Sequence, residues 1–250
     1  MMRLKNLLYL LIEWLLGTGT DKIVCISAAE KKSALQHKIV KDKKLILIPS
    51  GIDIDAVRGA VPIERAAIGM SEDDYIVGVI GRFVPQKAPD IFIRAALLIK
   101  QEIPHAAFVF LGDGELKEET EQYALQYGIR LVAPGWVDNP YAYLKTFDVA
   151  LALPRWEGFG LAIAEYMAAE KNIVATRVDA IPTLIEDGKD GLLVNVDSPE
   201  EVRDKVVYIY RHPEEAAEMR KNALEKVKRE FDIKRVAKQH CQLFKELISK

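Results

Sequence analysis

The sequence predicts an α/β fold with a doubly wound parallel sheet, and three observations lead to this prediction. From residue 75 onward, short apolar segments alternate with helical segments. In a strand with one solvent-exposed face, polar and apolar residues alternate. These apolar segments lack that alternation, which predicts strands buried on both sides. Half of the residues are hydrophobic, and no low-complexity tract or internal repeat interrupts the pattern. Buried strands joined by helices form a parallel sheet that is covered on both faces.

The chain opens with residues 1–16, MMRLKNLLYLLIEWLL. A basic start before an apolar run resembles a signal peptide, but Glu13 interrupts this run and no small-residue cleavage site follows. The run is also too short to cross a bilayer. We interpret it as a buried or interface helix, and the alternative is a helix that contacts a membrane surface through residues 2–16.

A small βαβ unit follows this helix. Its predicted elements are a strand at 22–26, a helix at 28–37 and a strand at 44–48. Pro49 and Gly51 then end the unit, because both residues favour turns. Residues 51–74 show no strong period and predict a linker with a short helix.

The larger unit carries strands and helices in alternation. Its predicted strands are 75–82, 106–112, 129–135, 148–154, 172–177 and 191–194. The predicted helices between them are 88–101, 115–127, 139–146, 160–169 and 180–186. Two tail segments open on Pro-Glu-Glu, as helices do, and a last amphipathic helix follows. We therefore divide the chain into residues 1–50, 51–232 and 233–250.

The composition excludes several functional classes. A net charge of -2 argues against a partner recognised by phosphate neutralisation over a wide face, so no nucleic acid is expected. Cys25 and Cys241 lie far apart and suggest neither a disulfide framework nor a metal cluster. The four histidines lack metal-ligand spacing. We expect a reducing, cytoplasmic compartment.

Two cations follow the first strand of the larger unit. Ligands bind beyond the carboxyl ends of the strands in such a sheet, so the loop GRFVPQKAPD at residues 81–90 is a candidate site. Arg82 and Lys87 could grip two phosphate groups there. The alternative is two ordinary solvated cations. The next loop, LGDGELKEE, looks like a Gly-rich phosphate loop, but Gly112 and Gly114 more simply make a turn.

Two glutamates, eight positions apart, flank the turn in RWEGFGLAIAEYMAAE, residues 155–170. Gly158 and Gly160 would let the backbone approach a ligand, and free amides near 158–161 at the start of a helix favour an anion. Glu157 and Glu165 cannot face that anion directly, but they can accept hydrogen bonds from hydroxyl groups. A nucleotide sugar carries hydroxyls on both sides of its diphosphate. The alternatives are a turn residue for Glu157 and a solvated or capping residue for Glu165.

The sequence at this point resembles the retaining GT-B-fold glycosyltransferases that use nucleotide sugars, such as glycogen synthase and sucrose synthase. The resemblance runs from about Asp21 to about Val196. The matching pieces are DKIVCIS, LILIPSGID, VIGRFVPQKAPD, LGDGEL, PGWVDN, RWEGFGLAIAEYMAA and IEDGKDGLLV, in this order. A glutamate, seven residues and a second glutamate form the signature of this family.

The resemblance implies a Rossmann-like donor domain and a role for each matching residue. Arg82, Lys87 and Glu157 would be the catalytic residues. Glu157, with the neighbouring amides, would hold the transferred sugar and the nearby phosphate, the two cations would hold the leaving diphosphate, and Glu165 would hold the ribose hydroxyls. The implied donor site comprises Gly81, Arg82, Lys87, Trp136, Val137, Glu157, Gly158, Phe159, Gly160, Leu161 and Glu165, and the backbone at Trp136 and Val137 would frame the base. No metal and no cofactor are implied. A glycan or glycolipid would be the acceptor.

The match is incomplete at the amino-terminal half. Family members carry an acceptor domain, of which residues 1–50 would be only the last βαβ piece. We expect either a truncation or a partner polypeptide that supplies the rest. The inner face of the cytoplasmic membrane is the expected location for such an assembly. Departures near the sugar are the absent serine in LPRWEG, the turn DAIPT at 179–183 in place of Gly-Gly-x-Pro-Glu, and Glu170 in place of a glycine.

Three functions remain open from the sequence. The first is the donor-binding half of a glycosyltransferase. The second is a non-catalytic nucleotide-sugar-binding subunit that needs a partner. The third is another GT-B enzyme such as a sugar-nucleotide epimerase, which the spacing of the two glutamates disfavours.

Overall fold

The structure, a computed structural model, describes residues 2–249 and the side chains of residues 8–249. Its strands are β1 (Ile23–Cys25), β2 (Leu45–Leu47), β3 (Tyr75–Ile80), β4 (Ala106–Leu111), β5 (Leu131–Gly135), β6 (Val149–Ala152), β7 (Asn172–Thr176) and β8 (Leu192–Val194). Its α-helices are α1 (Met2–Gly19), α2 (Ala28–Gln36), α3 (Ile54–Gly59), α4 (Pro89–Glu102), α5 (Lys117–Gln126), α6 (Pro140–Leu144), α7 (Leu161–Ala168), α8 (Ile181–Leu184), α9 (Pro199–Arg211), α10 (Pro213–Glu230) and α11 (Ile233–Ile248).

A parallel sheet of six strands confirms the predicted doubly wound fold. Its order is β5-β4-β3-β6-β7-β8, and each adjacent pair is parallel. The strand order reverses between β3 and β6, so the crevice beyond their carboxyl ends is the expected ligand site. Each predicted strand is present with boundaries that differ by at most two residues.

Two close packing contacts fix β3 against β6. Gly78 in β3 lies under the ring of Phe147, and a Cβ there would come within 2.2 Å of that ring. On the same pair of strands, the buried hydroxyl of Tyr166 accepts a hydrogen bond from the Ile80 amide at 2.8 Å and contacts the Leu151 carbonyl at 3.4 Å. These contacts hold the two strand ends together beneath the candidate site.

The apolar core forms two layers, one on each face of the large sheet. The first layer joins the sheet to α4 and α9, and the second joins it to α3, α7 and α10. The interior of β4 is buried along its whole length, as a central strand requires. This burial explains the continuous apolar sequence AAFVFL.

The small sheet pairs β1 with β2 and is covered by the last helix. Val236 and Leu243 of α11 pack against Ile48, with Val24 and Ile46 at the edge of the cluster. The chain therefore returns at its end to the unit in which it began. At the crossing, the Ile52 amide donates to the Phe231 carbonyl, and the Ile233 amide donates to the Ile52 carbonyl, both at 2.9 Å.

Helix α1 exposes a broad apolar surface. Within its described side chains, Leu8, Tyr9, Leu11, Ile12, Trp14, Leu15 and Leu16 are each exposed by 42% or more. The predicted helix is present, and its exposed apolar side chains leave the interface helix and the membrane-surface helix as the two interpretations that fit. Among residues 2–249, no helix is long and apolar enough to cross a bilayer. The side chains of residues 2–7, part of the predicted membrane contact, lie outside the described set.

Candidate functional site

The loops that follow β3 and β6 meet at the reversal of strand order. Lys87 at the end of the first loop forms an ion pair with Glu157 of the second, and their side chains are 26% and 15% exposed. A carboxylate next to a bound phosphate is unfavourable unless a cation lies between them. The structure places Lys87 against Glu157, so the two predicted site residues meet although they are far apart in sequence.

Arg82 lies at the entrance of the same crevice. Its side chain is exposed, and Nη2 donates to Gln86 Oε1 at 3.3 Å. Gln86 Nε2 in turn donates to the Trp156 carbonyl at 2.9 Å, which links the two loops. In the described part of the chain, the Arg82 guanidinium has no carboxylate partner and therefore retains its full charge for a ligand.

The backbone before α4 sets the direction of Lys87. Residues 85–87 form a 3-10 turn, and Ala88 then adopts a left-handed conformation with φ 51°. Pro89 disfavours the helical conformation at the preceding residue, which explains why the helix begins only after Ala88. A non-glycine residue in this region costs about 1–3 kcal/mol, and such strain concentrates at functional sites.

Arg155 ties the second loop to the first, and the sequence did not reveal this role. Its Nη2 contacts Asp90 Oδ2 and its Nε contacts Asp197 Oδ1, both at 2.7 Å. Its Nη1 donates to the Pro85 carbonyl at 2.7 Å, and its own amide donates to the Gln86 carbonyl at 2.8 Å. Arg155 therefore fixes the turn that carries Lys87. It stands where the resembling family commonly has serine.

The turn from Glu157 to Gly160 presents free backbone amides. Within the described residues, the amides of Gly158, Phe159 and Gly160 donate to no protein acceptor. Gly160 has φ 98° and begins α7, whose first amides also lack intrahelical acceptors. Unused amides at a helix start attract anions. The neighbouring side chains diverge, because Phe159 packs edge-on against Phe231 in the core while Leu161 is exposed.

The turn at 179–183 contacts the backbone of Glu157 through a hydrogen bond. Asp179 has φ 44°, and its Oδ2 accepts the Glu157 amide at 2.9 Å. Glu170 is also left-handed, with φ 57°. Both residues stand at positions where the resembling family has glycine. At these two positions, a non-glycine residue therefore adopts the left-handed backbone conformation. In exchange, Asp179 gains a side-chain contact that glycine lacks.

The glycines of LGDG shape the loop beside Gly81 for a packing reason. A Cβ on Gly112 would lie 2.0 Å from the Gly81 carbonyl oxygen, and one on Gly114 would lie 2.5 Å from that of Phe83. The Phe83 amide donates to the Asp113 carbonyl at 2.9 Å. These glycines make a close-packed turn, as the simpler sequence interpretation proposed. They hold the backbone of residues 81–83 in place.

A cavity of about 300 Å³ adjoins Gly81 and Arg82. Trp136 and Val137, predicted to frame a base, both line this cavity, and Trp136 is 82% exposed. An exposed indole offers a flat face for stacking. The lining is largely apolar apart from Arg82 and Asp138. The cavity therefore suits a flat, partly apolar group.

Glu165 points into the protein from α7. The Tyr141 hydroxyl donates to Glu165 Oε1 at 2.9 Å. Burial raises the pKa of Glu165, and the bond from Tyr141 opposes this rise. Burial, together with the negative charge of Glu165, raises the pKa of Tyr141 to about 12. The carboxylate is thus partly desolvated and would gain from further hydrogen-bond donors.

Replacing Glu165 with glutamine is expected to stabilise the free protein. Because the folded pKa of Glu165 lies above its unfolded value of 4.5, the fold loses stability as pH rises between the two. The variant keeps the acceptor for Tyr141 and removes the desolvated charge. We expect a thermal midpoint about 2–4 °C higher at pH 7, for about 1 kcal/mol. A lower midpoint across pH 4–8 would contradict this account.

The described residues contain no group of three or more His, Cys, Asp or Glu side chains that could hold a metal ion. Arg82, Lys87 and Glu157 bring charges to the crevice, with Asp138 and Asp179 beside them, and Glu165 lies behind the turn on α7. With the free amides, this set can hold an anion between two acceptors of hydroxyl groups.

Known proteins share the sequence pattern and the fold of this chain. The family model described as glycosyl transferases group 1 matches residues 61–226. A curated relative, the UDP-Gal:alpha-D-GlcNAc-diphosphoundecaprenol alpha-1,3-galactosyltransferase of Escherichia coli, is 27% identical over 199 residues, which cover 76% of this chain and 51% of the relative. The chain spans about half the length of the curated relatives it matches.

Solved structures share the fold. A sucrose-phosphate synthase from Thermosynechococcus elongatus superposes with a TM-score of 0.83 at 24% identity, covering 96% of this chain and 61% of that one. Anabaena HepE in complex with UDP-glucose gives 0.82 at 21% identity, covering 90% and 64%. These structures confirm the Rossmann-like, GT-B class of the sheet. The family match covers more than half of the sequence, and the chain therefore belongs to the glycosyl transferases group 1 family.

Proposed function

We propose that this chain binds a nucleotide-diphosphate sugar and supplies the donor half of a retaining glycosyltransferase. The observation that carries the proposal is the set of free amides at Gly158–Gly160 beside the Lys87–Glu157 ion pair. Amides and cations together bind a diphosphate, and a carboxylate held by a cation can accept sugar hydroxyls. One relative named as acting with UDP-Gal, and a neighbour bound to UDP-glucose, make a uridine donor the first to test.

In the proposed reaction, an acceptor hydroxyl bonds to the anomeric carbon of the sugar and releases its proton as the bond between that carbon and the diphosphate breaks. The leaving diphosphate gains negative charge. Arg82 and the amides lie where they would stabilise this charge, and Lys87 would do so while remaining close to Glu157. Glu157 would orient the sugar, and Glu165 would bind the ribose. Because two cations supply the positive charge, the proposal needs neither a metal nor a cofactor.

The acceptor half would come from elsewhere. The chain covers about half of its curated relatives, and α1 exposes apolar side chains beside the small sheet. We propose that further polypeptide, either from a longer form of this protein or from a partner, covers α1 and contributes the glycan or glycolipid site, in the cytoplasm. If α1 instead contacts the inner membrane face, the protein will float with lipid vesicles, and Leu8→Asp with Leu15→Asp will abolish this. A chain that stays monomeric and apart from vesicles at high concentration contradicts both settings.

Isothermal titration against UDP, GDP, ADP and their common sugar conjugates tests the donor site. We expect one nucleotide to bind and one sugar to strengthen it. Arg82→Ala should weaken the binding by about 1.5–3 kcal/mol, the range for hydrogen bonds to charged groups. Lys245→Ala, on the exposed side of α11, is the matched control and should bind as the unmodified chain does. Binding by none of the panel would contradict the proposal.

The second candidate is a non-catalytic nucleotide-sugar-binding subunit. The altered turn at 179–183, where Thr183 replaces a carboxylate of the resembling family, favours this reading. A donor that binds tightly but releases no nucleoside diphosphate, with or without glycan acceptors and candidate partners, would support it. If the protein does release nucleoside diphosphate and Glu157→Gln abolishes this release, the result would support an enzyme.

A further inference from the structure

A second cavity lies at the other end of the strands of the large sheet, where the strands begin. It encloses about 300 Å³ and is lined by residues at the amino ends of three strands: Tyr75 of β3, Asp148 before β6, and Lys171 with Asn172 at β7. Arg220 of α10 closes one side. The proposed transfer reaction uses none of these groups, since its ligands lie beyond the carboxyl ends of the strands.

Two cations of this cavity are bound only to neutral acceptors. Lys171 Nζ donates to the Lys145 carbonyl at 2.7 Å, and Arg220 Nη1 donates to Asn172 Oδ1 at 3.0 Å. In the described part of the chain, neither forms an ion pair with a carboxylate. A half-buried charge is normally paired, because desolvation is costly. Within the described residues, neither of these two positive charges is therefore in direct contact with a carboxylate.

The nearby carboxylates are engaged elsewhere. Asp148 Oδ2 accepts the Ile76 amide at 2.7 Å and lies 3.7 Å from Arg65. Glu170, on the rim of the cavity, lies 3.5 Å from Arg58 outside it. Neither carboxylate neutralises Lys171 or Arg220 by direct contact. The lining thus carries two carboxylates, each near an arginine that does not line the cavity, and two cations that contact no carboxylate.

A polar group in the lining also lacks a partner. The Tyr75 hydroxyl is buried and makes no hydrogen bond among the described residues, while its ring packs edge-on against Tyr210 at 5.0 Å. Leaving a buried hydroxyl unsatisfied costs about 1–3 kcal/mol. Such a group in a cavity whose two cations contact no carboxylate is a donor available to a ligand.

The titration of Lys171 agrees with this geometry. Burial lowers the pKa of Lys171 to about 8; the charge of Asp148 opposes the change, and those of Lys145, Arg220 and Arg65 add to it. The ammonium form is thus held at a free-energy cost in the empty cavity. A bound anion would relieve that cost.

We propose that this cavity is a second binding site, which takes a phosphate-class anion through Lys171, Arg220 and the Tyr75 hydroxyl. A planar guanidinium, an ammonium and a hydroxyl together match the oxygens of a phosphate group. The volume exceeds that of one phosphate, so the group can be carried on a larger molecule. A soluble phosphate ester and the headgroup of an anionic lipid share this chemistry.

The test is calorimetric titration with inorganic phosphate in the Lys87→Ala background, which weakens phosphate binding at the crevice. Sodium chloride at equal ionic strength is the reference. We expect saturable binding that Arg220→Gln weakens at least tenfold. Lys221→Gln, which removes an exposed lysine next to Arg220, is the matched control and should leave binding unchanged.

Tyr75→Phe tests whether a loss of phosphate binding can be separated from a loss of folding. It removes the unsatisfied hydroxyl, so we expect an unchanged or higher thermal midpoint in phosphate-free buffer together with weaker phosphate binding. Binding that Arg220→Gln and Tyr75→Phe leave unaltered would overturn the proposal. An effect of phosphate no larger than that of chloride would overturn it as well.

Vesicles distinguish the two sources of the anion. Co-sedimentation uses phosphatidylcholine alone and phosphatidylcholine with phosphatidylglycerol. A lipid headgroup is supported if the protein is retained on the anionic vesicles, if Arg220→Gln abolishes this retention and if free phosphate reverses it. Saturable phosphate binding without such retention supports a soluble ester.

Discussion

Replacing Lys87 with alanine is expected to weaken the binding of the preferred nucleoside diphosphate by about 10- to 150-fold, which corresponds to about 1.5–3 kcal/mol. Lys87 is half-buried against Glu157, so its removal takes away a phosphate ligand and leaves a carboxylate facing the incoming phosphate. Titration calorimetry measures the loss. Both effects act in the same direction, so within this shared range the loss of affinity should be larger for Lys87→Ala than for Arg82→Ala.

The interpretation of Lys87→Ala needs two controls. Lys87→Arg keeps the charge and should recover part of the affinity, although its planar fork differs from an ammonium. Glu157→Gln in the Lys87→Ala background removes the repelling carboxylate and should restore some phosphate binding. If Lys87→Ala binds as tightly as the unmodified chain, Lys87 is not part of the phosphate grip.

Replacing Gly112 with alanine is expected to lower the thermal midpoint by about 8–16 °C, corresponding to about 4 kcal/mol at 2–4 °C each. The added Cβ would lie 2.0 Å from the Gly81 carbonyl oxygen, and φ is 134° at this glycine. Neither the backbone of Gly81 nor that of Gly112 can move without disturbing the packing of β3 against β4. Circular dichroism on heating measures the change.

Gly158→Ala is the matched control for Gly112→Ala. No heavy atom lies within 4 Å of a Cβ at Gly158, so the midpoint should stay within about 1–2 °C, the usual result for an unstrained surface change. The same variant should weaken nucleotide binding if a ligand approaches the turn closely. Equal midpoints for Gly112→Ala and the unmodified chain would contradict the packing account.

The sequence predicted the sheet well because strands buried on both faces leave a local record. The run AAFVFL is apolar throughout, and the structure buries all six residues as β4. The start of the helix after RWEGFG could also be predicted from the local sequence, since glycines mark it. The order of the strands was not predicted, because no local sequence pattern records which strands become neighbours.

The contacts of Arg155 could not be predicted in the same way. Its side-chain partners Asp90, Asp197 and Pro85 lie 65, 42 and 70 positions away, and each of these positions reads as an ordinary loop or helix residue. The ion pair between Lys87 and Glu157 was not predicted either, because its members lie 70 positions apart. The family resemblance assigned both residues to one donor site but not to each other. Local patterns reveal elements, whereas partners brought together by folding need the fold.

The left-handed residues show a related limit. Ala88 and Asp179 have positive φ although neither is glycine. Pro89 gave a hint for Ala88, since it restricts the preceding residue. Nothing in the local sequence signals that Asp179 accepts the Glu157 amide across 22 positions. The roles assigned to the individual site residues remain predictions until the substitutions are measured.

The crossing at Ile52 and Ile233 makes the segment between them topologically an insert. The polypeptide enters and leaves the six-stranded unit at neighbouring points, joined by two backbone hydrogen bonds. The ends of a fragment starting near Ile52 and stopping near Asp232 would thus lie side by side, and a short Gly-Ser bridge could close it into a ring. The crevice with Lys87 and Glu157 lies wholly within that ring. Circularisation would therefore isolate the proposed nucleotide site from α1, the small sheet and α11 without cutting any strand of the large sheet.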